Sequence, residues 1–324
     1  MKEKHLRTSS FFFIFEYIQT QISDLLLRSD YLIIELAGLA CAPLWAISSI
    51  LLKSQTGKMD ALQINAIRGI FASAFALAIL PFFWNTNDFY NLTITAIAYL
   101  LLSITIGMIV GDTFFIKGMD IIGVSRALPI SIIYPIFILP FSVFFIGEKL
   151  SAMNILGIFI TAGGIYLITV PKGGSARLSD LDRKQQWYGI ILVLIACLCW
   201  SAGTISLKFA IANINPILAG AIRMPFVAIA LSLFVYLRGG RIDPWRHGTK
   251  SIAAMGLAGI LGIGVGGLLF MIGVKYAGPA KTAILSSTAP FFGIPISMFT
   301  LRERVTVKIV LGTILCVAGI WLVI

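Results

Sequence analysis

The sequence predicts an all-α membrane protein with ten transmembrane helices, arranged as two inverted five-helix repeats. An apolar composition, a long internal repeat and ten apolar runs predict this fold. Hydrophobic residues make up 58% of the 324 residues and charged residues only 12%, whereas a soluble globular protein has about 25% charged residues. The net charge of +11 is explained by loops and span ends that face lipid headgroups, so no nucleic-acid partner is expected.

The stretch from Trp45 to Leu167 returns 155 residues later without a gap, so that Trp45 corresponds to Trp200. The match is densest between positions 131 and 148, where seven of eighteen residues are identical and composition alone gives roughly one. These seven are Ser131, Pro135, Phe137, Pro140, Ser142, Phe144 and Glu148, which return as Ser286, Pro290, Phe292, Pro295, Ser297, Phe299 and Glu303. The chain is therefore predicted to be a duplicated membrane domain.

Ten apolar runs are long enough to cross about 30 Å of hydrocarbon, which takes about 20 helical residues. They are predicted to be helices because they lack the alternating pattern of barrel strands. Since each repeat holds an odd number of spans, the second repeat enters the membrane from the opposite side. The predicted spans are 31–52, 61–83, 94–116, 124–147, 152–171, 187–209, 215–237, 251–275, 279–301 and 306–324.

Four segments follow from these spans. Residues 1–30 are predicted to form an N-terminal interfacial helix, because their apolar and polar residues separate onto two faces. Residues 31–170 form the first repeat, 171–186 a polar linker and 187–324 the second repeat. The positive-inside rule assigns opposite orientations to the N-terminal basic cluster and to the basic loops of the core. The four cysteines are predicted to be free thiols in apolar surroundings.

Spans four and nine contain the predicted substrate site. A proline inside a helix leaves the carbonyl four residues earlier without its N–H donor, so Pro135 is expected to free the carbonyl of Ser131. This point lies near the bilayer midplane, where transporters with inverted repeats bind substrate. Alternatively, the prolines only kink the helices and the serine hydroxyls bond to their own backbone. The residues predicted to line the site in these spans are Ser131, Tyr134, Pro135, Ser286, Ser287, Thr288 and Pro290.

Asp112 is the predicted site of polar coupling. An ionisable residue at a span centre costs about 2.5–3.5 kcal/mol and is therefore a candidate for function. Asp112 is predicted to lie four residues from the end of span three, and Gly267 occupies the corresponding position in the second repeat. It either forms a neutral pair near Lys117 and Arg126, or binds a proton or cation.

Two arginines, Arg68 and Arg223, lie inside spans two and seven. They are expected to anchor their helices at the headgroups, to pair with Glu148 and Glu303 within their own halves, or to bind a substrate carboxylate. Charged residues at the span ends are expected to extend to the interface. These are Lys53, Lys208, Glu148 and Glu303, and Glu35 is expected to be interfacial as well.

Trp45 and Trp200 lie near the middle of spans one and six, too deep for the interfacial aromatic belt. A buried indole N–H needs an acceptor, so these residues are predicted either to line a cavity or to pack in the core. The small-residue motifs that are predicted to let helices approach closely are Gly107-x-x-x-Gly111 and Gly262-x-x-x-Gly266.

These residues resemble the EamA type of the drug/metabolite transporter superfamily. The shared pattern is a tryptophan and then a lysine in the first span of each half, an arginine in the second, and a proline-rich fourth span that closes on Gly147-Glu148-Lys149 or Arg302-Glu303-Arg304. The resemblance covers nearly everything from residue 31 onward. It implies inverted halves, a central cavity lined chiefly by spans 1, 3, 4, 6, 8 and 9, and both termini in the cytoplasm. It also implies secondary transport of small metabolites, often amino-acid export.

The chain is therefore expected to export a small metabolite, such as an amino acid or related compound, by alternating access in a bacterial or archaeal cytoplasmic membrane. Its expected partners are a small-molecule substrate, the lipid bilayer and a coupling proton, with no cofactor or metal. The alternative is a drug or toxic-cation exporter of the multidrug type.

Enzyme and channel functions are not expected, and no residue is predicted to be catalytic. The Gly111-Asp112 pair is found in intramembrane aspartyl proteases, but two carboxylates must share a proton there and a second motif is missing from the sequence. Both histidines, His5 and His247, lie outside the predicted spans. A channel of the charged type needs rings of charge along its pore, which the spans lack.

Overall fold

A computed structural model describes residues 36–83, 90–141, 151–169, 183–303 and 305–323. The helices in these ranges are α1 (Leu36–Lys53), α2 (Ala61–Phe83), α3 (Ile94–Ile122), α4 (Val124–Ser131 and Tyr134–Phe141), α5 (Ala152–Thr169), α6 (Arg183–Ala210), α7 (Pro216–Leu237), α8 (Thr249–Tyr276), α9 (Pro279–Thr300) and α10 (Val307–Val323). The predicted interfacial helix, most of the linker, Glu35 and Glu148 lie outside the described ranges.

Seven of these helices are long and apolar enough to cross a membrane, which confirms an all-helical, multi-pass membrane protein. The other three, α4, α5 and α10, are shorter apolar helices at the positions of predicted spans. A total of ten spans therefore stays a prediction.

Local signals in the sequence explain where several helices begin and end. Asp60 caps α2, because its side chain accepts the N–H of Gln63 while the Gln63 side chain accepts the N–H of Asp60. Asn215 caps α7, and a proline occupies the first turn. Gly123 and Gly278 separate α3 from α4 and α8 from α9, with φ of 81° and 93°, angles that glycine adopts without strain.

Helix α3 continues past its predicted end at residue 116 to Ile122. Two charged residues beyond the predicted end have partners in the structure. The Lys117 ammonium lies 5.6 Å from the centre of the Tyr188 ring, and the Asp120 carboxylate lies 3.0 Å from the Lys53 ammonium. Asp112 is therefore deeper in its helix than predicted.

Helices α4 and α9 break where the sequence predicted a proline kink. The breaks fall at residues 132–133 and 287–288. Pro135 and Pro290 lie in the first turn of the segments that follow, where a missing N–H is tolerated.

Two of the contacts between the halves join equivalent helices, and a third joins α3 to α6. Helix α2 packs along α7 and α5 along α10, while α3 packs along α6. Helix α1 contacts α8, where the Ser48 hydroxyl donates to the carbonyl of Ala258 over 3.0 Å. The first helix of each half thus contacts the third helix of the other half.

Both third helices contain a π-helical stretch at nearly equivalent positions, Thr105–Asp112 in α3 and Ala258–Gly266 in α8. Such wider turns are rare and often occur at functional sites. They were not predicted from the sequence.

Candidate functional site

A cavity of about 180 Å³ lies between the halves, lined by residues of α1–α4 and α6–α9. Pro135, Thr288 and Pro290 are not among the residues that line it. Seven of the ten predicted site residues do line it: Trp45, Asp112, Ser131, Tyr134, Trp200, Ser286 and Ser287.

Two tryptophans form equivalent parts of the cavity wall. The Trp45 ring lies 5.2 Å from the ring of Phe270, and the Trp200 ring lies 5.1 Å from that of Phe115. The Trp45 indole donates to the carbonyl of Gly262 over 3.1 Å. The Trp200 indole instead donates to the Asp112 carboxylate over 2.7 Å. Each tryptophan therefore has the predicted acceptor, and the acceptors differ between the halves.

Glycines let these tryptophans approach the third helices. A Cβ atom added at Gly111 would lie 3.0 Å from Cδ1 of Trp200, and one at Gly266 would lie 3.1 Å from Cδ1 of Trp45. These distances are too short for an unstrained contact. The predicted close approach at both glycine motifs is thus confirmed.

Asp112 forms a buried ion pair with Arg68 across α2 and α3. Nη2 of Arg68 donates to Oδ2 of Asp112, and Nε of Arg68 donates to Oδ1 of Asn65 over 2.9 Å. The Asn65 amide donates in turn to the carbonyl of Met108 and the hydroxyl of Thr113. With the indole of Trp200 on its other oxygen, Asp112 has both carboxylate oxygens engaged.

Arg223 lies on the same cavity and lacks such partners. It is the repeat equivalent of Arg68 and only 7% exposed. Its Nη1 lies 3.0 Å from the sulfur of Met271, and its Nε has no hydrogen-bond partner in the described part of the chain. Asp112 lines the same cavity, but no carboxylate in the described ranges lies within ion-pair distance of Arg223.

The structure corrects the pairings expected from the sequence. Asp112 pairs with Arg68, and not with Lys117 or Arg126. Glu303 does not pair with Arg223. Its carboxylate accepts the backbone N–H groups of residues 124 and 125, over 2.8 and 2.7 Å, at the start of α4 in the other half.

The hydroxyls near the proline breaks bond mainly to their own helices, as the alternative interpretation expected. Ser131 donates to the carbonyl of Leu128 over 2.8 Å. Ser286 donates to the carbonyl of Ala283 and also lies 2.8 Å from the hydroxyl oxygen of Tyr134. Pro135 has no N–H that could be donated to the carbonyl of Ser131. This carbonyl accepts the S–H group of Cys197 over 3.4 Å.

Sequence reasoning missed several polar residues of the cavity wall. Ser48 and Ser49 of α1 and Thr204 of α6 line the cavity. The available signal was helical spacing, because residues three and four positions after a tryptophan lie on the same helix face.

Comparisons with known proteins give relatives named as transporters. A protein of Archaeoglobus fulgidus named uncharacterized transporter is 24% identical over 290 residues, which cover 89% of this chain and 96% of the relative. The uncharacterized inner membrane transporter YhbE of Escherichia coli is 24% identical over 142 residues, 43% of each chain. The names of these relatives do not specify a cargo.

The fold has a counterpart among solved structures. One crystal structure superimposes with a TM-score of 0.64 at 17% identity, covering 89% of this chain and 95% of the other. The model of the EamA-like transporter family matches residues 32–170 and again residues 187–324.

Proposed function

Because the chain belongs to the EamA-like transporter family, we propose that it exports a small metabolite, such as an amino acid, by alternating access. The observation that carries this proposal is the cavity between the halves, which both halves line with equivalent residues. Secondary transporters built from inverted repeats hold their substrates at such an interface.

In this proposal residues 31–170 and 187–324 are the two inverted units, joined by the linker 171–186, and they rock against each other about the cavity. The reciprocal contacts of α1 with α8 and α6 with α3 are the sliding surfaces, because glycines bring the backbones close there. The hydroxyls of Tyr134, Ser286 and Ser287 supply polar contacts to the cargo.

The size of the cavity supports a small cargo. A cavity of about 150 Å³ accommodates benzene, and the cavity of this protein measures about 180 Å³. A molecule with the dimensions of an amino acid fits this conformation better than a multi-ring drug.

The charges of the wall favour a metabolite over a toxic cation. A cation exporter needs a carboxylate that is free to bind its cargo, and both oxygens of Asp112 are already engaged by Arg68 and Trp200. With Arg223, the described residues of the wall carry two positive charges against one negative charge, which repels a cation.

Counterflow in proteoliposomes tests the function directly. Purified protein is reconstituted with a pooled panel of amino acids, nucleosides and polyamines, and exchange of labelled panel members is followed with and without a pH gradient. We expect saturable exchange of one class of small metabolite, and a pH effect if a proton is coupled. Protein-free liposomes are the control. Absence of exchange by folded protein, or exchange of polyamines alone, would contradict the proposal.

A further inference from the structure

We infer that Arg223 binds a carboxylate group of the cargo, at the place that the Asp112 side chain fills in the other half. That this carboxylate belongs to a transported cargo rests on the proposed function. The presence of a site for a carboxylate at Arg223 does not, and it can be tested without transport.

The two halves treat their equivalent arginines differently. Arg68 has two side-chain acceptors, Asn65 and Asp112. At the equivalent positions, 155 residues later, the second half has Gly220 and Gly267. Glycine offers no side-chain acceptor at either position, and this explains why Nε of Arg223 has no hydrogen-bond partner among the residues that the structure describes.

The contact that Arg223 does make is a weak one. A thioether sulfur is a poor acceptor, and a buried guanidinium without an anion is costly. Met271 lies one helical turn after Gly267 on the same face of α8. The guanidinium of Arg223 contacts Met271. It therefore lies one helical turn from Gly267, the position that corresponds to Asp112 of the first half.

The space for that carboxylate is open. Gly267 lines the cavity, and a Cβ atom added to it would meet no other heavy atom within 4 Å. A ligand carboxylate in this space would receive hydrogen bonds from the planar guanidinium, which can hold both carboxylate oxygens at once. The arrangement of Arg68 with Asp112 would then exist in both halves.

The charge of the wall points to a monoanionic group. Arg68 and Asp112 neutralise each other, which leaves the positive charge of Arg223 unbalanced among the described residues that line the cavity. A carboxylate balances this charge, whereas a phosphate carries about −1.5 to −2 at neutral pH and would leave excess negative charge in a buried site. The inferred ligand class is therefore small carboxylic acids, with amino acids among them.

A double-mutant cycle tests the site without transport. Gly267→Asp introduces the missing carboxylate, and Gly267→Asn introduces a neutral side chain of the same shape. We expect Gly267→Asp to melt on the order of 5 °C above Gly267→Asn in detergent. In an Arg223→Gln background this difference should vanish. Equal melting of the two variants with Arg223 in place would overturn the inference, whatever the protein transports.

Matched ligands test the same site in the unaltered protein. Each amino acid of the panel is compared with its amide, which differs only at the carboxylate, as a competitor of the exchange found in counterflow. We expect the acids to compete about tenfold better or more. Both Arg223→Gln and Gly267→Asp should remove this preference, and Gly267→Asn should keep it.

The outcomes separate the two proposals. A positive cycle without exchange of any panel member retains the anion site and rejects the proposed transport. Exchange in which acids and amides compete equally retains transport and rejects Arg223 as the carboxylate site. If the Gly267→Asp protein does not fold, the Arg223→Gln variant is tested instead. An unchanged preference of this variant for acids over amides would equally overturn the inference.

Discussion

The partner of Asp112 differs from the one that its neighbours in the sequence suggested. Asp112 has no acidic counterpart in the second repeat, and one of its two predicted roles was a neutral pair near Lys117 and Arg126. The structure pairs it with Arg68 instead. Arg68 lies on another helix, and a sequence without alignment does not give the rotation of one helix relative to another. Proximity along the chain was therefore a poor guide to the partner of a buried charge.

Removing this buried charge should destabilise the protein strongly. In Asp112→Asn the Arg68 guanidinium stays buried without an anion, and breaking such a pair costs about 3–5 kcal/mol. Asp120→Asn is the matched control, because its pair with Lys53 is half-exposed at the carboxylate and worth about 0–1 kcal/mol. Thermal melts in detergent compare the two. Equal melting temperatures would show that Asp112 does not hold Arg68.

The glycines at the tryptophan contacts give a second prediction. Gly111→Ala places a methyl group against Trp200, which should displace the indole from Asp112 and cost about 1–3 kcal/mol. Gly163→Ala on α5 is the control, since a Cβ there meets no other heavy atom within 4 Å, and it should stabilise the protein by about 0.4–1 kcal/mol. Unfolding in denaturant measures both. A neutral Gly111→Ala would mean that the indole does not need this close contact.

At the scale of elements, the sequence predicted the positions of the helices better than their interruptions. Apolar runs and caps such as Asp60 and Asn215 are local signals, so the helices begin where predicted within a few residues. The breaks in α4 and α9 lie beside the prolines that predicted a kink, whereas the π-helical turns in α3 and α8 contain no proline that could have indicated them. Proline indicated a disturbance near residue 135, but not that the first segment of α4 ends at Ser131, four residues earlier.

Glu303 follows α9 of the second half and contacts the start of α4 in the first half. Its carboxylate accepts the first N–H groups of α4, and charge-assisted bonds of this kind are about twice as strong as neutral ones. The ends of α1 and α3 lie side by side, because Lys53 and Asp120 form an ion pair there. The turn with Gly57 follows the end of α1, and the start of α4 follows the end of α3. The Glu303 contact and this turn are therefore at the same end of the molecule. We expect this contact to hold that end closed.

The variant Glu303→Gln should open this end. Gly267→Cys places a thiol in the cavity, and this thiol should then react faster with a membrane-impermeant maleimide. The maleimide is added on the side of the membrane from which Gly57→Cys can be labelled. Asp60→Asn is the control, because that residue caps a helix within one half and should leave the labelling rate unchanged. A Glu303→Gln protein with unaltered labelling would show that this contact does not control access.

At the scale of the whole molecule, the repeat of 155 residues carried most of what could be predicted. It gave the duplicated domain, the equivalent tryptophans and the substitution of Gly267 for Asp112. It also contained the replacement of Asn65 by Gly220, whose meaning appeared only when the structure placed both residues beside the arginines. The sequence shows which residues differ between the halves, but the effect of these differences depends on which residues line the same cavity.

In the proposed mechanism, one cavity between the two halves is exposed alternately to the two sides of the membrane. The most direct test is labelling of Gly267→Cys in a Cys199→Ala background, in sealed vesicles of each orientation, with an impermeant thiol reagent. Gly57→Cys serves as the one-sided control. We expect Gly267→Cys to react from both sides and Gly57→Cys from one. Reaction of Gly267→Cys from one side alone, or from neither, would contradict alternating access through this cavity.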